Sequence, residues 1–329
     1  MGAAMLKRLL PDRFILWLLA TLVLASVLPV TGRAAAALDA ATLVAIFALF
    51  FLHGVRLPPE ALVSGITHWR LHAAILAITF LLFPLAGLGL AALLPGLLSP
   101  MLWTGLLFLC ALPSTVQSSI AYTSLAGGNV AGAVAAAAFS NLVGVFLTPL
   151  IVSMILEAQG ARIDAAGIGK IVLLLFFPFL LGHMFRPWSF PLVKDRPRLT
   201  TFVDKGTILL AVYGAFSAAA AEGLWQRLPP AQFAALTLLC ALLLAVILAA
   251  AWTLGRLGKF SDGDRAAILF CGSVKSLASG VPMARILLPG AAAGMVILPV
   301  MLFHTLQLIV CAAMAGRMAA QNAPASRRL

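Results

Sequence analysis

The sequence predicts an all-α polytopic membrane protein whose ten transmembrane helices form a five-plus-five inverted repeat, with helices 4 and 9 discontinuous and crossing. Three observations predict it. Of 329 residues, 63% are hydrophobic and 10% charged, against about a quarter charged in a soluble domain. Mean hydropathy is +1.09. Ten apolar stretches approach the ~20 residues a span needs, and the fourth and ninth are interrupted by small polar residues.

The ten spans run 14–31, 38–55, 72–95, 101–126, 129–156, 168–186, 206–222, 231–255, 266–288 and 291–316. Polar joints separate them, among them "HGVRLPPEAL", "QGARIDAAG" and the long basic "RPWSFPLVKDRPRLTTFVDK". The first stretch follows Lys7, Arg8 and Arg13 and precedes "AAAAL", as a cleaved leader would. It is long for a leader's apolar region, and the repeat requires it, so it reads as an uncleaved first span. Counted from an N-terminus placed inside, sixteen Lys and Arg fall on inner segments and four on outer ones. That asymmetry places both termini in the cytoplasm of a multi-pass inner-membrane protein. Five spans per half, an odd number, makes the second half enter the membrane from the opposite side.

Composition also excludes classes. The net charge of +12 comes from short basic clusters between apolar runs rather than a continuous basic face, so nucleic acid is not the partner. Cys110, Cys240, Cys271 and Cys311 all lie in apolar runs without ligand spacing, and the five histidines are scattered. The sequence therefore predicts no metal site, no cofactor and no catalytic residue.

The chemistry concentrates in the two interrupted spans. In span 4, "LPSTVQSS" places Pro113, Ser114, Thr115, Gln117, Ser118 and Ser119 where a lipid-facing helix would carry leucine and valine. Pro113 has no amide donor and clashes with the preceding turn, which opens the helix. In span 9, "CGSVKSLASGVP" places Lys275, Ser276, Ser279 and Gly280 at the corresponding position of the second half. Backbone freed at membrane depth must be buried in protein or line a wet cavity. Paired interruptions in two halves point to a transporter's central site, whereas an isolated serine more often just lets helices pack closely.

Lys275 carries the most weight. A lysine mid-helix costs about 2.5–3.5 kcal/mol to insert, and this one lies about 15 Å into its span at 1.5 Å per residue. That is too deep to snorkel easily, unlike Arg285 near the outer end of the same span. All ten Asp and Glu lie in tails, joints or span ends. The expected partners of the ammonium are therefore hydroxyls, carbonyls, water or an anionic substrate, with Thr115, Gln117, Ser118 and Ser119 the nearest side chains across the crossing. Secondary candidates are His304 and Gln307 of span 10, one turn apart, and Asn141 of span 5, which equally suits helix–helix bonding. Asn129 follows Gly-Gly and is foremost a turn signal.

These strings also carry a resemblance. "LPSTVQSS", "CGSVKSLASGVPM" and "LPVMLFHTLQL" resemble the bile acid:sodium symporter family, in its bacterial branch akin to solute carrier family 10 member 7, over nearly the whole chain. The resemblance implies a panel domain (14–55 and 168–222, spans 1, 2, 6 and 7) and a core domain (72–156 and 231–316, spans 3–5 and 8–10). It also implies transport of organic anions or sterol conjugates by alternating access. The same resemblance places Lys275 and Ser279 where sodium-coupled relatives carry a glutamate and glutamine ligand. Ser118 and Ser119 stand at a Ser-Asn pair, Ala133 and Ala137 at hydroxyl ligands, and Thr79 at a further glutamine ligand. A unit charge 4 Å from another costs about 4 kcal/mol at an effective dielectric of 20, so a lysine there repels sodium. The expectation is a sodium-independent secondary transporter of an anionic small molecule. Its rivals are a sodium-dependent symporter, a non-transporting receptor on the same fold, and an intramembrane hydrolase using Lys275 with Ser118, Ser276 or Ser279.

Overall fold

Helices satisfy their own backbone, which is why an apolar chain of this kind folds into them. A computed structural model describes residues 13–57, 68–158, 165–288 and 290–322. Parts of two expected joints, residues 58–67 and 159–164, lie outside these residues, as do 1–12, 289 and 323–329. Every regular element among the described residues is helical. The helices are α1 (Arg13–Val27), α2 (Gly32–Arg56), α3 (Trp69–Ala77), α4 (Phe83–Leu93), α5 (Pro100–Ala111), α6 (Gln117–Leu125), α7 (Val130–Ala158) and α8 (Ala165–Met184). There follow α9 (Arg186–Lys194), α10 (Pro197–Ala221), α11 (Leu224–Arg227), α12 (Pro230–Leu257), α13 (Asp262–Ser273), α14 (Leu277–Leu287) and α15 (Ala292–Asn322). A π-helical turn, Ile78–Leu82, joins α3 to α4 in one continuous rod.

Seven of the described segments are long and apolar enough to cross a membrane alone, or eight if α8 and its bent continuation count as one. Ten separate spans are thus not all present as single rods. The first stretch forms only the 15 residues of α1. The fourth is divided at 112–116 into α5 and α6, of 12 and 9 residues. The ninth passes only when α13 and α14 are taken together across their break. Boundaries move too: α2 begins at Gly32 rather than 38, and α10 at Pro197 rather than 206. The long basic joint is therefore mostly helix. Pro187 and Pro197 sit in first turns, where a missing amide costs nothing and the fixed φ helps.

Two zones of packing result. Helix α8 packs along α2, α1 along α10, and α10 along α2. The approach of α2 and α8 is closest at two glycines: a Cβ on Gly54 would lie 1.9 Å from the Phe179 carbonyl, and one on Gly182 1.9 Å from that of Phe51. At the end of this group, Arg56 forks onto both oxygens of the buried Asp204 at 2.8–3.0 Å. The other helices gather around α13 and α14. In the apolar window of α2, 22% of residues are buried, whereas in the α13–α14 span 94% are. That span faces protein on nearly every side, which is where backbone breaks are tolerated.

Substituting Gly54 or Gly182 by leucine should separate α2 from α8 and destabilise the fold by about 1–3 kcal/mol or more. Gly89→Leu, where a side chain meets nothing within 4 Å, should leave the melting temperature in detergent unchanged. Equal melts for all three variants would contradict the packing.

Candidate functional site

The two breaks meet, and main-chain accounting explains how. Within the π turn, the Phe83 amide bonds to the Ile78 carbonyl, one residue beyond its α-helical partner Thr79. The next amide that could serve Thr79 belongs to Pro84, which has no hydrogen to give. The Thr79 carbonyl is thereby orphaned. A second proline repeats the effect in span 4. Pro113 cannot extend α5, whose last amide bond runs from Leu112 to Leu109. The Ser114 amide, which would serve Cys110 in a continuing helix, donates instead to Ser140 Oγ at 3.1 Å. Cys110 and Leu112 are left with free carbonyls at a helix C-terminus, where the helix dipole concentrates partial negative charge.

The Lys275 ammonium occupies this position. Its Nζ donates to the carbonyls of Thr79 at 2.8 Å, Cys110 at 2.7 Å and Leu112 at 2.7 Å. An ammonium has three donors, and all three are used. The cation also lies 4.1 Å from the ring centroid of Phe83 and 5.9 Å from that of Phe80, a favourable arrangement once desolvated. Lys275 is 1% exposed, and no carboxylate is among its contacts. The hydroxyls expected as its partners are elsewhere: Thr115 Oγ1 bonds to Ser118 and, at 3.1 Å, to Ser119, which in turn donates to the Thr115 carbonyl. A Ser–Lys dyad requires Nζ beside a serine hydroxyl, and here all three of its protons point to main-chain oxygens. Hydroxyls lost the competition because the prolines leave three carbonyls with no other donor.

Side chains knit the rest of the crossing. Gln307 takes the Lys275 amide on Oε1 at 2.7 Å and donates Nε2 to the Lys275 carbonyl at 2.9 Å, imitating a strand partner. His304 Nδ1 lies 2.8 Å from the same Nε2. The Ser276 amide donates to the Pro113 carbonyl at 2.9 Å, a main-chain bond between the two breaks. Ser276 also caps α14, its Oγ accepting from the Ser279 amide at 3.1 Å. Ser114 Oγ reaches the Cys271 carbonyl at 2.6 Å. Asn141 bridges both breaks, donating to the Ser114 carbonyl at 2.9 Å and accepting from Ser279 Oγ at 2.8 Å. Gly280 permits the close approach, since a Cβ there would lie 2.5 Å from Leu112 Cδ1.

Not every expected residue joins in. Asn129 lies at the turn before α7, where its Oδ1 caps Gly132 and its Nδ2 holds Asp264 at 2.7 Å. Gln117 is exposed at the start of α6. Thr79 takes part through its carbonyl, while its hydroxyl turns back to Ile75. Sequence reasoning missed Cys110, Leu112, Phe83 and Ser140. For the first two and for Thr79, the usable signal was a proline one to five residues downstream.

Replacing Lys275 by methionine keeps the volume but strands three buried carbonyls, each worth about 1–3 kcal/mol. The melting temperature of Lys275→Met in detergent should fall well below that of the surface control Lys259→Met. Gln307→Leu should show a smaller fall. An unchanged melt for Lys275→Met would refute the carbonyl cage.

Comparison with known proteins identifies the family. A protein of Pseudomonas aeruginosa, "Uncharacterized protein PA2026", is 48% identical over 98% of this chain and 97% of its own. "Putative symporter YfeH" of Escherichia coli is 43% identical over 93% of this chain and 92% of its own. "Sodium/bile acid cotransporter 7-B" of Xenopus laevis is 23% identical over 93% and 91% respectively. The family model described as SBF-like CPA transporter matches residues 12–320. The chain is therefore a multi-pass membrane protein that belongs to the SBF-like CPA transporter family.

Proposed function

We propose that this protein is a secondary transporter of an organic anion or amphipathic, sterol-like solute, working by alternating access without a sodium site. The observation that carries this reading is the ammonium of Lys275 on three main-chain carbonyls. In transporters with broken helices, unwound carbonyls and half-helix C-termini are what coordinate a coupling cation. Here a tethered cation takes those oxygens and already supplies the positive charge. Ala133 and Ala137 offer no side-chain oxygen to complete a cage, and a sodium ion at this distance would be repelled. The N-terminal ends of α6 and α14, opposite in sense, add partial positive charge near the crossing, which favours an anionic cargo.

Alternating access is supported by the packing. In a ten-span inverted repeat, span 2 against span 6 corresponds to span 7 against span 1, and both pairs pack closely, as α2 on α8 and α10 on α1. These four helices would form the panel and the rest the core. Apart from α7 on α8, contact between the two groups falls mainly on α10. Helix α10 lies against α14 and α15, with Gly294 so near that a Cβ would meet Ala219 Cβ at 2.7 Å. The counterpart contacts, α2 against α6 and α7, are slight at most. With both termini in the cytoplasm of the inner membrane, the packed side is the outer one. Arg285 of α14 pairs there with Asp39 of α2 while lying against Gly214 of α10. This ion pair crosses from core to panel and has to break for the outer side to open.

A sodium-coupled reading has one support, the word "sodium" in the names of relatives such as that of Xenopus laevis. The two readings separate cleanly. In proteoliposomes, uptake of radiolabelled steroid sulfates and bile-acid conjugates by the wild type should be equal in sodium and in choline. Sodium should leave the melting temperature of the wild type unchanged. Uptake that collapses without sodium, with Lys275→Ala unaffected, would overturn the proposal.

The outer ion pair gives a second test. Asp39 is exposed but the Arg285 side chain is only 9% so, and replacing both partners together leaves no unpaired charge, so Asp39→Cys with Arg285→Cys should still fold. Cross-linking the two thiols with a bis-methanethiosulfonate long enough to replace the arginine stem, which a direct disulfide is too short to do, should abolish uptake and reduction should restore it. Uptake undiminished by the cross-link would exclude movement at this seam.

A further inference from the structure

One charged surface has no part in the crossing. Between α8 and the body of α10 the chain carries Arg186, Lys194, Arg196, Arg198 and Lys205 against Asp195 and Asp204. Asp204 is already neutralised by Arg56, so the surface is strongly basic. Helix α9 leaves α8 at 86°. With α8 crossing the membrane, α9 lies along its surface. Phe185, Trp188 and Leu192, spaced along one face, are 49%, 70% and 64% exposed. That is how a helix lying in the membrane interface presents itself.

The first three turns of α10 continue this surface as a shallow groove. Along one of its edges, on successive turns, stand the donors Arg198, Thr201 and Lys205. Its floor runs over Phe202, which is 74% exposed, to Gly206 and Leu209. A Cβ on Gly206 would meet nothing within 4 Å. Close helix packing therefore does not explain this glycine, and its missing side chain leaves the groove open. From Arg198 to Leu209 is about 16 Å along the helix, close to half of a ~30 Å hydrocarbon core. The groove thus carries its donors along one edge, Arg198 outermost, beside an apolar floor from Phe202 to Leu209 that is about 10 Å long, roughly two-thirds of one leaflet.

The geometry points to a seat for one anionic phospholipid. Arg198, Thr201 and Lys205 donate to its phosphate, and one acyl chain lies over Phe202, Gly206 and Leu209. The charge complementarity selects the occupant: a zwitterionic lipid brings its own ammonium to a basic rim, and a small anion leaves the apolar floor uncovered. This inference needs only a membrane-embedded chain and is independent of the transport reading.

The test uses the full-length protein in dodecyl maltoside, titrated with phosphatidylglycerol, phosphatidylcholine or inorganic phosphate. The readouts are melting temperature and retained adducts in native mass spectrometry. Phosphatidylglycerol should raise the melting temperature and leave one retained adduct, and the other two should do neither. Arg198→Gln with Lys205→Gln should weaken retention about thirtyfold. Gly206→Leu keeps every charge and fills the groove, and it too should lose the adduct. Equal shifts with both lipids, a full shift with phosphate alone, or retention undisturbed in both variants would overturn the assignment.

Discussion

Three main-chain carbonyls turned toward one ammonium hold the centre of this molecule together. A helix broken inside a membrane exposes oxygens that neither lipid nor neighbouring amides can satisfy. Two prolines make such oxygens here, Pro84 beyond Thr79 and Pro113 beyond Cys110 and Leu112. Lys275 supplies three donors to the three acceptors. Each half of the arrangement would be costly alone, the lysine as an isolated charge and the carbonyls as stranded dipoles. Together they close the count, and charge-assisted bonds at a helix C-terminus are among the stronger ones available.

What surrounds that centre divides by stiffness. Ser114, Asn141, Ser276, Ser279 and Gln307 link spans 4, 5, 9 and 10 through bonds that each satisfy a specific broken-backbone group or its neighbour. A polar network in which every member is paired resists deformation, because moving one group strands several. Contact between α10 and α14–α15 is of another kind, alanine and glycine surfaces with the Arg285–Asp39 pair at the rim. Such a seam is held by dispersion and one rim charge pair, Asp39 exposed and Arg285 largely covered, so sliding breaks one polar contact where movement in the crossing would break many. Stiffness within the crossing and slip at this seam are what a rigid-body mechanism requires.

Much of this was legible in the residues. Pro113 marks the first break, and Lys275 amid serines and glycines marks the second, because no helix in lipid tolerates such residues without compensation. The partners of Lys275 were not legible. Every residue carries the same carbonyl, and only the fold decides which are stripped of their amides. The resemblance drew attention to Thr79 for its side chain, yet its main chain does the bonding and Pro84 was the clue. Asn129 went the other way: its Gly-Gly-Asn context announced a turn, and the structure adds the Gly132 cap and the Asp264 tether. Hydropathy alone also misjudged length. It cannot see that span 4 is two short helices, nor that a basic, proline-bearing stretch from 186 to 205 is helical.

A tethered cation changes the thermodynamics of the proposed transport cycle. A free coupling ion stabilises the state it binds by a term that grows with its concentration, and that term is how a gradient performs work. The ammonium of Lys275 has no concentration; it is present in every state and travels with the core. It can hold the crossing in shape and attract an anion, but it contributes nothing that differs between the two sides of the membrane. Under the proposed reading, accumulation of cargo must then draw on another gradient: the anion's own, that of an exchanged solute, or protons. Losing a proton from Lys275 would strand one of its three carbonyls, so the basic side chain at the crossing left to carry one is His304. His304, bonded to the glutamine that brackets Lys275, is therefore the position through which proton coupling could reach this cage.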